Sequence, residues 1–250
     1  MKNRAGEKSI NNFDSEIVIT RYKNCKDLDV YFPKYNWTAA GRTYFDFKNG
    51  KIKCPYEPRF RGVGYIGEGK YNAEKQYMSH FRKWQSILER CCNFEYKEIH
   101  PAYKDCTIHD DWHNFQNFAS WYDKNYYEIE GQKMHLDKDI LIKGNKTYGP
   151  NTCVFVPQCM NSLFTKNDCR RGELPIGVNI DIKSNKYKSE CRNNKGVKIY
   201  LGLYNTPEEA FEAYKTYKEK LIKNIAEEYK KQMPDKLYQA LLNYEVEITD

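Results

Sequence analysis

The run TPEEAFEAYKTYKEKLIKNIAEEYKK constrains the fold more than any other stretch of the chain. Thr206 is suited to a helix N-cap, and Pro207 fits the first helical position, where a missing N–H costs nothing. Glu208 and Glu209 add negative charge to the first turn, where the helix dipole favours it. The run is amphipathic as far as Pro234, which breaks it, and DKLYQALLNY then reads as a short final helix. Ala210, Phe211, Ala213 and Tyr214 make the apolar stripe at the helix start, and the small alanines allow another layer to approach closely. Such a layer lies just upstream, where IGVNI, YKSEC and KIYLGLY alternate as strands. Residues 175–231 are therefore expected to form a three-stranded antiparallel sheet packed on a helix, with 232–250 a helical tail.

Alternation also governs the N-terminus. EIVITRY and DVYF read as strands, and AAGR and KNGK as turns, so 1–60 is expected to be a small strand-rich module. GVGYIGEGKY has glycines reminiscent of a phosphate loop, but it lacks a preceding apolar strand and a GK[ST] ending. Residues 61–75 are read as a hinge or linker. The period becomes helical from Gln76 to Cys92, where Phe81, Trp84, Ile87 and Leu88 share a face. A second helix is expected from an N-cap at Asp110 or Asp111, with Trp112, Phe115, Phe118, Ala119 and Trp121 or Tyr122 as core.

The chain of 250 residues, 40% hydrophobic, is long enough for a packed core. Its net charge of +7 favours an acidic partner only mildly. No run approaches the roughly 20 apolar residues of a membrane span. MKNRAGEKSINNF has no apolar core, so a cytoplasmic location in the host cell is expected, with nine reduced cysteines. Cys106, His109 and His113 hint at a zinc pattern but lack a second ligand pair, and a packing or solvation role fits them better.

Between these regions the period shortens again. HLDKDIL is a strand, KGNKTYGPN a loop, CVFV a second strand and PQCMNSLF a helical turn, which together make a ββα unit. A carboxylate on the first strand and an amide on the helix can hold one divalent metal against a phosphate while a base activates water. The stretch HLDKDILIKGNKTYGPNTCVFVPQCMNSLF resembles the core of phage-encoded HNH-type endonucleases. WQSILERCC and CTIHDDWHNFQNFASWY upstream resemble them too, which extends the expected nuclease core over 76–168. The resemblance implies that Asp137 binds metal (Mg²⁺ or Mn²⁺), that Asn145 is the loop asparagine and that Asn161 is the helix ligand. Lys138 occupies the general-base position, where that family carries histidine. A protonated lysine cannot take up a proton, so His135, expected on the same face as Asp137 and Asp139, is the substitute base.

A second resemblance covers residues 175–228. IGV, YKSEC, YLGLY and TPEEAFEAY are similar to the APETALA-type (ethylene-response-factor-like) DNA-binding domain, which lays its sheet in the major groove. Alternation places Tyr187, Ser189 and Cys191 on one face of the middle strand and Lys188, Glu190 and Arg192 on the other. The second is the expected groove face. Lys183, Lys186, Lys195 and Lys198 extend its charge for phosphate contacts, and Arg192 can read guanine. Arg21, Lys23, Arg42 and Lys48 in the N-terminal module have no assigned task.

The resulting expectation is an α+β protein with a strand-rich N-terminal module, a helical and ββα core, and a C-terminal sheet-on-helix. It would hydrolyse double-stranded DNA with a bound divalent metal. The alternative is a DNA-binding regulatory protein in which the ββα core no longer cuts. A small-molecule enzyme is poorly supported, since neither a nucleotide loop nor a nucleophile triad is found.

Overall fold

Strands come first in the chain. β1 (Lys8–Ile10), β2 (Glu16–Asn24), β3 (Asp27–Phe32) and β4 (Trp37–Arg42) form an antiparallel sheet in chain order. Alternation puts Ile17, Ile19, Leu28, Val30 and Phe32 into one core, closed by Phe47 from α1 (Tyr44–Lys48). AAGR lies inside β4 rather than in a turn: Ala39 pairs with Val30 and is buried. The register shifts before Arg42, where Gly41 takes a positive φ of 64°. That extra residue in the ladder is what made the segment read as a turn.

The computed structural model describes residues 3–164 and 174–248. Its fold is α+β. It divides into two compact units, one built from residues 3–124 with 147–150, the other from 125–146, 151–164 and 174–248. The 76–168 segment is thus shared between them, cut after Lys124. The sequence also reads as a linker around 167–175, which falls mostly outside the described residues, as does Cys169. Cys25, Cys54, Cys92, Cys159 and Cys191 are free thiols. Among the described residues, no helix is long and apolar enough to cross a membrane.

In the first unit, α2 (Met78–Cys92) buries Trp84, Ile87, Leu88 and Cys91. It is followed by α3 (Phe94–Ile99), the short strand β5 (Thr107–Ile108) and α4 (Phe115–Asn125). α4 starts later than its sequence promised. Trp112 sits in a preceding 3-10 turn (Asp110–His113), and the Asn114 side chain accepts from the Gln116 N–H. The cause is the glycine-rich segment. Tyr65 pairs through its backbone with His113 and Phe115, so that stretch cannot be helical. Residues 61–75 are packed rather than hinge-like. A Cβ on Gly64 would come within 2.5 Å of the Leu88 side chain, and Gln116 donates to the Ile66 and Tyr71 carbonyls. β5 pairs in parallel with β7 (Thr147–Tyr148).

The second unit contains the hairpin of β6 (Met134–Asp137) and β8 (Val154–Pro157), followed by the single turn α5 (Gln158–Asn161). It also contains β9 (Val178–Asp181), β10 (Lys186–Arg192) and β11 (Lys198–Tyr204), ordered β11-β10-β9. α6 (Pro207–Tyr229) begins with a complete capping box, Thr206 and Glu209 satisfying each other's backbone N–H, and α7 (Asp235–Leu242) follows Pro234. The first half of α6 supplies Ala210, Phe211 and Tyr214 to the sheet core. The second half supplies Ile222, Ile225 and Ala226 to a core shared with Val154, Val156 and Met160 of the hairpin and turn.

Gly177 ties the sheet to α6. Its φ is +78°, and a Cβ there would overlap the Tyr214 ring. Gly196 has a φ of +76° with nothing within 4 Å of such a Cβ. Gly196→Ala should therefore cost about 1–2 kcal/mol from backbone strain alone. Gly177→Ala should cost clearly more in chemical denaturation, and equal losses would show that the Tyr214 contact carries no weight.

Candidate functional site

β6 points Met134 and Leu136 into the core and leaves His135 and Asp137 half-buried on the other face, as period 2 requires. The strand ends at Asp137, because the Asp137 carboxylate turns the chain. Its Oδ1 accepts the N–H groups of Asp139 and Ile140, both at 2.8 Å. The face expected to continue to Asp139 is therefore interrupted, yet the turn still sets Asp139 against Asp137. Burial first, and the neighbouring Asp139 charge second, push the Asp137 carboxyl up to about 6. The two backbone donors oppose that shift without cancelling it.

Lys138 lies on the buried side, 9% exposed, with its Nζ 3.3 Å from Asp139 Oδ2. The Asn145 side-chain amide donates to the Lys138 carbonyl at 2.6 Å, fastening the loop to the end of β6. Asp137, Lys138, Asp139 and Asn145 are thus gathered at one place. His135, on the same face as Asp137, has its Nε2 3.3 Å from Gln158 Oε1, at the start of α5. Asn161 ends that turn and is half-buried. Among the described residues, no group of three or more His, Cys, Asp or Glu side chains could hold a metal. A divalent ion here would depend on the Asp137–Asp139 pair with amide or water oxygens. A carboxylate that burial and a neighbouring negative charge hold back from ionising fits such an ion, whose charge would relieve both effects.

The sheet presents a second candidate surface. Ser189 and Cys191 are buried beneath the strand and Tyr187 partly so, the inward face that alternation predicted. Lys188, Glu190 and Arg192 face outward. Glu190 lies between Lys188 at 3.3 Å and Lys198 at 2.6 Å. Burial opposes its charge, but hydrogen bonds from Lys198 and Lys188 outweigh this and hold its carboxyl below the ordinary range. Glu190 therefore orders two ammonium groups while cancelling one of their charges. The Arg192 guanidinium donates to the Gly196 carbonyl at 2.8 Å, which braces the β10–β11 turn that carries Lys195. Lys183 and Lys186 lie at the opposite end, beside the turn capped by Asp181.

Two exposed residues of this face went unread in the sequence. Tyr200 pairs with Glu190 and Leu203 with Lys188, and the register shift between these pairs reverses the phase of β11. Alternation from Lys198 reaches Tyr200, but only the bulge brings Leu203 outward. Lys218, 9% exposed on α6, is a buried cation whose pKa burial lowers, with Cys191 as the charge that acts against the shift.

No protein-family model matches the chain, and no match is found among curated proteins or solved structures.

The raised Asp137 pKa gives a signed expectation. Its neutral form is favoured on folding, so its contribution to stability is present below the ordinary carboxylate range and lost as pH rises through about 6. Asp137→Asn keeps the Oδ1 acceptor without the charge. In metal-free buffer it should raise the unfolding temperature at pH values above this window and change it little below. A variant less stable than wild type above the window would contradict the assignment.

Proposed function

We propose that this protein is a metal-dependent DNA endonuclease whose C-terminal sheet holds double-stranded DNA. The observation that carries the reading is the paired Asp137 and Asp139 carboxylates at the end of β6. A buried carboxylate with a second one beside it on a ββα hairpin has a clear chemical use if a cation joins them. The reading also draws on the resemblance of this hairpin to HNH-type nucleases and of residues 175–228 to APETALA-type domains.

In this reading Asp137 and Asp139 hold Mg²⁺ or Mn²⁺, with Asn161 as a further oxygen donor. The ion would supply Lewis-acid stabilisation of charge on the scissile phosphate. Asn145 keeps the loop from lifting away by its bond to the Lys138 carbonyl. Lys138 serves as the ammonium partner of Asp139 and is not a base. His135 is the proton acceptor. With its Nε2–H donated to Gln158 Oε1, the imidazole keeps the Nδ1 lone pair for a proton from water.

On the sheet, Lys188, Lys198 and Arg192 would contact phosphates, and Tyr200 and Leu203 would make apolar contacts within the groove. Lys183, Lys186 and Lys195 at the two ends would extend the phosphate contacts, making affinity fall as salt rises.

A second reading rests on one observation. The position after Asp137 holds a buried lysine paired to Asp139, which could replace the cation and leave a DNA-binding protein that does not cut. A supercoiled-plasmid assay with the full chain separates the two. The nuclease reading expects nicking with Mg²⁺ or Mn²⁺, none with EDTA, and loss of at least a hundredfold in Asp137→Ala, in line with removal of a metal ligand. Wild-type protein that retards DNA in a salt-sensitive gel shift but never nicks it would establish the second reading.

A further inference from the structure

α2 carries two stripes. Its apolar one faces the core, and a polar one, Arg82, Gln85, Ser86 and Glu89, repeats at intervals of three and four residues on another face. The polar stripe is one wall of a cavity of about 640 Å³ within the first unit. Arg59, Phe60 and Arg61 supply another wall, and Tyr96 of α3 borders it. Small-molecule sites typically have volumes of about 300–1,000 Å³.

The lining is cationic to a degree that its own carboxylate does not balance. Glu89 pairs with Arg61. Neither Arg59 nor Arg82 has an ion pair among the described residues, and Arg59 Nε is buried with no hydrogen-bond partner. A buried N–H of this kind is costly unless an acceptor arrives from outside. Arg61 is held at a positive φ of 51°, in the tight turn closed by the Phe60 and Gly64 backbones, so its place on the rim is fixed rather than adjustable. The aromatic members are fixed too. Phe60 packs edge-on against Trp84 with centroids 5.1 Å apart, and Tyr96 lies against His100 at 4.3 Å.

Two guanidiniums without carboxylate partners, a serine hydroxyl, an amide and a braced tyrosine ring describe a ligand with a dianionic group and a flat apolar part. We propose that this cavity binds a nucleoside phosphate. Arg59, Arg82 and Ser86 hold the phosphate, as guanidinium forks suit its oxygens, and the base lies against Tyr96. The ligand is either a free mononucleotide or the phosphorylated end of a DNA strand, which present the same chemistry. The site is confined to the first unit and does not depend on cleavage at Asp137.

Calorimetric titration of the full chain with deoxyadenosine monophosphate tests this. Binding is expected, weakened about tenfold or more in Arg82→Gln by loss of a charge-assisted hydrogen bond. Tyr96→Leu should weaken nucleotide binding and leave binding of inorganic phosphate unchanged. Arg82 is exposed on its helix, so its variant should keep the wild-type circular dichroism and unfolding temperature. A tetranucleotide with a 5′-phosphate that competes, where its unphosphorylated form does not, supports a strand end as the source. Nucleotide binding without such competition supports the free ligand. No binding at millimolar nucleotide, or binding indifferent to Arg82→Gln, overturns the proposal. Equal binding of phosphate and nucleotide, with Tyr96→Leu without effect, overturns the nucleoside part of it.

Discussion

The second unit depends on the burial of a single helix by two unlike layers. The first half of α6 lies under the three-stranded sheet through Ala210, Phe211 and Tyr214. Its second half lies under the ββα hairpin and α7 through Ile222, Ile225 and Ala226. Each fully buried large apolar side chain contributes about 1.5–3 kcal/mol relative to exposure. A two-stranded hairpin is marginal alone, and the three-stranded sheet has an apolar face that packing on a helix covers. A 23-residue helix, capped at its start by Thr206 and Glu209, gives both a common support. The candidate metal pair and the cationic sheet face thus belong to one packed body.

Charge is handled differently at these two places. On the sheet, Glu190 is held charged between two lysines, so the outer face is ordered before any ligand arrives. Preordered side chains lose less freedom on binding. At the end of β6, burial and a like charge work against ionisation of Asp137, and two backbone N–H groups oppose them.

Much of this was legible from local chemistry. The cap at Thr206, the break at Pro234 and the alternation in YKSEC are decided within a few residues, and the inward set Tyr187, Ser189 and Cys191 followed from period 2. What escaped was set by partners distant in sequence. The bulge near Gly202 appears only when β11 is paired with β10, so Leu203 could not be placed. Trp112 fell outside α4 because Tyr65, far upstream, takes the backbone groups on either side of Asn114. The glycines of 61–75 looked like freedom, but Gly64 is there because Trp84 and Leu88 leave no room for a Cβ. His135 shares the face of Asp137, as period 2 requires, but its engagement by Gln158 could not be read from its own strand. The arginine-lined cavity left no sign in any motif, since Arg59 and Arg82 are far apart in sequence and line it from different segments.

If α6 is the shared support, weakening one layer must weaken the other. Native-state hydrogen exchange on the Ile222→Ala protein tests this directly, since the substitution should cost about 2–5 kcal/mol under the hairpin alone. The account predicts that amides of β8, such as Phe155, and of β10, such as Cys191, lose the same amount of protection free energy. Loss confined to β8, with β10 protected as in the wild type, would contradict it and show that hairpin and sheet are stabilised separately.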